Sequence, residues 1–142
     1  MTTSDLDEFT TAYLEAILFG EMDESDENGG YPLDRNYTIE DFAPSAIART
    51  KADCDRFREL AADDLAEAER LYETGEWSPQ GRLTSVDDQA GYDLYMTRVG
   101  HGVGFWEPGD WPDGIGDRLD AIAKSMGEIY TYVGDDGLIY TD

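Results

Sequence analysis

One cysteine, one histidine and two lysines (Lys51 and Lys124) are all that the 142 residues hold of those types, and each shortage removes a class of chemistry. A single Cys54 excludes an internal disulfide framework and any multi-cysteine zinc site, and it fits a reducing compartment. With His101 the only imidazole, a nucleophilic triad would need that residue beside Cys54 or a serine, and no Gly-x-Ser-x-Gly elbow is present. No apolar run approaches about 18 residues and no basic-then-apolar leader opens the chain, so neither a membrane span nor a secretory signal is expected. The glycines match neither a dinucleotide fingerprint nor a phosphate-binding loop, since the spacing and the following Lys-Ser or Lys-Thr are lacking. The expectation is a non-enzymatic protein without cofactor or metal.

What the chain has in excess is acid. Thirty-three Asp and Glu face ten Lys and Arg, a formal charge of −23 and a pI near 4.1. Such a charge opposes direct contact with nucleic acid or an anionic membrane and favours basic partners. Two plainer readings stand beside this one: charge that only solvates the protein, and the Asp-rich, Lys-poor composition of a salt-loving source. Apolar residues at 40% and aromatics at 12% are too plentiful for a disordered acidic chain, and the length suits one domain over 1–142 with one core.

Local patterns predict an α+β fold. Leu6, Phe9, Tyr13 and Ile17 give helical spacing behind Ser4, for a first helix from about Asp5 to Phe19. An exposed acidic loop is expected at about 21–30. Ser45 reads as the cap of one long second helix, with a stripe of Ile47, Cys54, Phe57, Ala61, Leu65, Ala68 and Tyr72 running to Gly75. Ser85 to Asp88 reads as a single helical turn. After Gly91, the aromatic and β-branched run Tyr92 to Val99 reads as a strand. A third helix starts at Gly116 or Asp117 and ends before Gly127, and Ile129 to Tyr140 is a hairpin turning at Gly134-Asp135-Asp136-Gly137. The predicted architecture is three helices packed on a small three-stranded antiparallel sheet.

The charge is unevenly spread. Residues 1–41 hold twelve acids against Arg35, and from Glu59 to Glu76 seven acids face only Arg70, whereas Arg49, Lys51, Arg56 and Arg58 can pair with Asp53, Asp55 and Glu59. On a continuous helix Glu59, Asp63 and Glu67 form a line of carboxylates. A duplex carries one charge per roughly 1.7 Å, so a charge of this size matches roughly 40 Å of DNA. Imitation of nucleic acid is thus one reading, with Asp23, Glu24, Asp26, Glu27, Glu59, Asp63, Glu67 and Glu73 as partner contacts. The segment Gly100-His101-Gly102-Val103-Gly104-Phe105-Trp106 gives a second, a small-molecule pocket or enzyme site around His101, Phe105, Trp106 and Trp111; its glycines and aromatics equally suit a structural cover over the core. Self-association through the aromatic surface, as a structural or regulatory component, is a third. Glu24, Asp26, Asn28 and Gly29 match the start of a calcium loop, but Arg35 stands where a bidentate Glu belongs.

Three segments, Tyr31-Pro32-Leu33-Asp34-Arg35-Asn36-Tyr37-Thr38-Ile39-Glu40-Asp41-Phe42-Ala43-Pro44, Gly100 to Trp106, and Tyr132-Val133-Gly134-Asp135-Asp136-Gly137-Leu138-Ile139-Tyr140, resemble a widespread family of small acidic proteins of tailed phages and prophages. The chain departs from it at Glu107 and Val99, where members often place Asp and a polar residue. The resemblance implies a phage gene expressed in the cytoplasm of an infected bacterium and carries over no catalytic residue. By analogy with other small acidic phage proteins, it implies a basic surface of a host nucleic-acid-binding or defence protein as the partner.

Overall fold

The computed structural model describes residues 6–23, 31–79, 85–100, 104–107 and 110–142. Five helices, α1 (Glu8–Gly20), α2 (Pro44–Leu60), α3 (Ala62–Glu73), α4 (Val86–Val99) and α5 (Ile115–Ser125), dominate them. Strands β1 (Met22–Asp23) and β2 (Tyr31–Pro32) form one short antiparallel ladder, and β3 (Thr131–Val133) and β4 (Ile139–Thr141) form another. The three-stranded sheet expected from the sequence is therefore incorrect: Tyr92 to Val99 lies within α4, and no described sheet has a third strand.

α1 and α4 pack against each other along the centre of the molecule, and Gly91 sets how closely. A Cβ at that position would stand 2.1 Å from the Phe9 carbonyl oxygen and 3.1 Å from Ala12 Cβ. The glycine that reads as a breaker in sequence is thus the crossing point of two helices. α4 is buried on nearly every side: Val86, Ala90, Leu94, Tyr95 and Met96 share the core with Phe9, Tyr13, Leu14 and Ile17 of α1, and its polar Gln89, Asp93, Thr97 and Arg98 are buried as well. A helix enclosed all round shows no one-sided apolar stripe, and this is why its periodicity is invisible in the sequence. Its ends are ordinary. Ser85 Oγ accepts from Asp88 N at 3.0 Å, and Gly100, with φ +70°, closes the C-terminus.

α1 begins later than predicted, with Asp7 as the N-cap accepting from Thr10 N at 2.8 Å. α2 begins with Pro44 in its first turn and Ala43 as N-cap, so Ser45 is not the cap. The long second helix is two helices: Ala61, at φ −104° and ψ 14°, ends α2 and precedes α3. The predicted stripe buries Ile47, Cys54, Phe57, Ala61 and Ala68, while Tyr72 at its far end is exposed. α5 starts at Ile115 behind Gly114, whose φ is +82°.

The C-terminal hairpin is the element that the sequence placed best. Val133 pairs with Ile139, Gly134 N donates to Leu138 O at 2.8 Å, and Gly137 takes a φ of +79° in the turn. Buried Ile139 docks the hairpin on the helices, with its carbonyl accepting from Ala43 N at 2.8 Å just ahead of α2. Among the described residues no helix is long and apolar enough to cross a membrane.

Candidate functional site: an acidic face and an aromatic pocket

Two ionisable groups, Asp93 and Arg98, are buried deep in α4. Asp93 Oδ2 accepts from Gln89 Nε2 and from Trp111 Nε1, both at 2.7 Å. Burial raises its carboxyl from 3.8 to about 6; the two donated hydrogen bonds oppose this and the field of Asp110 and Glu107 adds to it. Arg98, one turn further along, donates to Asp53 at 2.9 Å, to the Tyr13 hydroxyl at 3.0 Å and to the Gly127 carbonyl at 2.9 Å. One guanidinium thus ties α1, α2 and α4 to the end of α5, a use for which its fixed fork of donors suits it. Burial pushes the Cys54 thiol and the Tyr13 hydroxyl up, so both stay protonated at neutral pH. Cys54 is no nucleophile in this setting.

The aromatic segment after α4 folds back over it. Thr97 Oγ1 accepts from Phe105 N at 3.0 Å, and a Cβ on Gly104 would meet that same oxygen at 2.4 Å. Phe105 stacks on Phe57 (5.4 Å, 10°), Trp111 tilts against Phe105 (5.4 Å, 58°), and Trp77 stacks on Trp111 (5.1 Å, 25°). Gly116 allows α5 to close on this group, since a Cβ there would come within 2.8 Å of Phe105 O. Above the buried rings lies an open cavity of about 260 Å³ between Phe105, Trp106 and Trp111 on one side and the Pro112–Asp117 turn on the other. Phe105 and Trp111 are buried, while Trp106 is 45% exposed.

The acidic residues meet elsewhere. Glu8 opens α1, Asp87 lies in the first turn of α4, and Glu69 and Glu73 lie on α3. These carboxylates are close enough to act on one another: Glu69 is raised by burial and then by the fields of Asp87, Glu73 and Glu8. Asp87 is raised by burial, lowered by Arg58, and raised again by Glu8 and Asp7. Arg58 is a cation whose field reaches this face, and it is committed. It donates to Asp7 at 2.8 Å and Asp55 at 2.7 Å, and lies over the Phe9 ring with its central carbon 4.8 Å from the centroid. Burial raises Asp7, but the hydrogen bonds from Thr10 and Arg58 outweigh it and hold the carboxyl below its ordinary range.

The contacts predicted from sequence fall in several places. Glu59, Asp63 and Glu73 are exposed, and Glu73 belongs to the acidic face. The helix break at Ala61 separates Glu59 from Asp63, so the predicted line of carboxylates is interrupted, and Arg70 binds Glu67 at 2.6 Å. Asp23 pairs through its backbone with Tyr31. Glu24, Asp26 and Glu27 of the acidic loop, the calcium-loop positions Glu24 to Gly29, and His101 lie outside the described residues. Of the pairings expected within α2, Arg58 with Asp55 is present, while Asp53 is bound by Arg98. Sequence reasoning missed Glu8, Glu69 and Asp87, because reading Ser85 to Asp88 as a lone turn hid that Asp87 opens a helix packed beside α1. Among the described residues no group of His, Cys, Asp or Glu is placed to hold a metal ion. No protein family, curated protein or solved structure compared with the chain matches it.

Proposed function

We propose that this chain is a non-enzymatic phage accessory protein that acts in the cytoplasm of an infected bacterium, where it presents carboxylates in place of nucleic acid phosphates to a basic groove on a host nucleic-acid-binding or defence protein. The observation that carries the reading is the face built by Glu8, Glu69, Glu73 and Asp87. Three helices bring these acids together so that they repel one another, while the nearby guanidinium of Arg58 is held by Asp7 and Asp55. A cluster of like charge opposes folding, and a basic partner docked on it would relieve that repulsion. The total charge of −23 supports the same reading by steering a basic partner in from beyond contact range.

Binding of this kind has two signatures. Duplex DNA displaces the protein from its partner, and affinity falls steeply as salt screens the charges. A competition experiment in which DNA leaves the complex intact would count decisively against the reading. The small-molecule alternative draws on the cavity beside Trp106; a thermal-shift screen with nucleotides and metals tests it, and a stabilisation removed by His101→Ala would favour it.

A further inference from the structure

The cavity between Trp106 and the turn into α5 shares no residue with the acidic face. Its wall is aromatic and its rim is acidic: Glu107, Asp113 and Asp117 line it together with Trp106, Phe105 and Trp111. Asp113 and Asp117 are exposed, and none of the three rim carboxylates is in an ion pair among the described residues. The nearest cation of α5, Arg118, gives its Nε to Asp64 at 2.8 Å, and its Nη1 lies beside Gly114, where a Cβ would meet it at 3.2 Å. The arrangement does not suit an anion. The first two amides of α5 are already used, since Ile115 N and Gly116 N both donate to Pro112 O, at 3.1 and 3.4 Å. A neutral apolar ligand would leave three carboxylates facing one guanidinium, a net negative rim that it does nothing to neutralise.

An aromatic face beside carboxylates attracts an organic cation twice, through the ring quadrupole and through direct charge. Trp111 is fixed for this by its indole nitrogen, which donates to Asp93 at 2.7 Å and so leaves no polar edge seeking a partner in the cavity. Indole stacking on Trp77 holds it further. A planar guanidinium fits such a site better than an ammonium, because it stacks on an indole and still reaches two carboxylates through its edge.

We propose that this cavity receives an arginine side chain of the partner protein, with the guanidinium against Trp106 and its edge toward Asp113 and Asp117. The assignment rests on the basic partner of the proposed function and adds an anchor point distinct from the acidic face. Its test needs no partner. N-acetyl-arginine amide and its neutral isostere N-acetyl-citrulline amide are titrated into the full chain while the Trp106 indole N–H resonance is followed by NMR. A saturable shift is expected with the arginine probe, with affinity at least about tenfold weaker for the citrulline probe, and about tenfold weaker again for the arginine probe in the Asp113→Asn/Asp117→Asn variant. Trp106→Leu, checked for an unchanged circular dichroism spectrum, is expected to remove the shifts at Trp111 and Phe105. Equal affinity for the two probes, a non-saturating arginine titration, or undiminished binding in either variant overturns the proposal. Since Glu8, Glu69, Glu73 and Asp87 take no part, an arginine pocket found in a protein whose complexes DNA cannot displace would retain the pocket and remove the nucleic-acid reading. The converse result would do the opposite.

Discussion

Asp93 is where a single residue most clearly makes stability depend on pH. Its carboxyl titrates near 6 in the folded chain and near 3.8 when unfolded, so the folded state holds the proton more tightly. The associated stabilisation is present below about pH 4 and is lost as pH rises to about 6, on the order of 3 kcal/mol in all. Asp93→Asn keeps an acceptor for Gln89 and Trp111 and removes the titration. The difference in unfolding free energy between this variant and the parent should therefore change between pH 4 and 6.5 and stay flat above it, with the variant at least as stable at pH 7.5. Denaturant melts across that range decide the matter. Gly91 makes a different demand: Gly91→Ala puts a methyl group into the Phe9 carbonyl oxygen, and the variant should lose about 3 kcal/mol or more by the same melts. Arg98→Met leaves partly buried Asp53 and buried Tyr13 facing a thioether, with a loss of about 2–4 kcal/mol; Arg98→Lys should restore only part of it, because one ammonium cannot span Asp53, Tyr13 and Gly127 together.

At the scale of elements, α4 organises the protein. Enclosed by α1, the aromatic segment and the turn after α5, it should hold the slowest-exchanging backbone amides, around Leu94 to Met96, whereas those of the C-terminal hairpin should exchange sooner. Hydrogen exchange followed by mass spectrometry would show it. Were the segment a strand, as its side chains suggest, the i to i−4 pattern of protection would be absent. α1, much of the α2 stripe and the hairpin were legible in the sequence because each exposes one side to water and so carries a period, or has glycines where a turn needs positive φ. α4 was not. Its Tyr92, Tyr95, Thr97 and Val99 favour strands locally, Gly91 looks like an interruption, and Asp93 and Arg98 look like surface residues until the partners that bury them are known. The break at Ala61 left no mark either, since alanine is the best helix former. For the candidate sites, the grouping of Phe105, Trp106 and Trp111 could be read from a short stretch of chain, and the cavity they line is present. The acidic face could not, for it is assembled from residues as far apart as Glu8 and Asp87.

At the scale of the whole molecule, 33 acids against ten bases make self-repulsion a standing load on the fold. Screening should relieve it, so the melting temperature should rise between 20 mM and 500 mM sodium chloride; a chain that is merely solvated by balanced local pairs would show little change. The four-residue face supplies the sharper test, because function and stability should there respond in opposite senses. The variant Glu8→Gln/Glu69→Gln/Glu73→Gln/Asp87→Asn removes the mutual repulsion at the face and should melt no lower than the parent. The direct measurement is affinity capture from a bacterial host lysate at low salt with the parent and this variant side by side, followed by elution with duplex DNA. The parent should retain nucleic-acid-binding proteins that DNA releases, and the variant should retain them at least about tenfold less. Equal retention by both chains, or a catch containing no such protein, would contradict the proposed function.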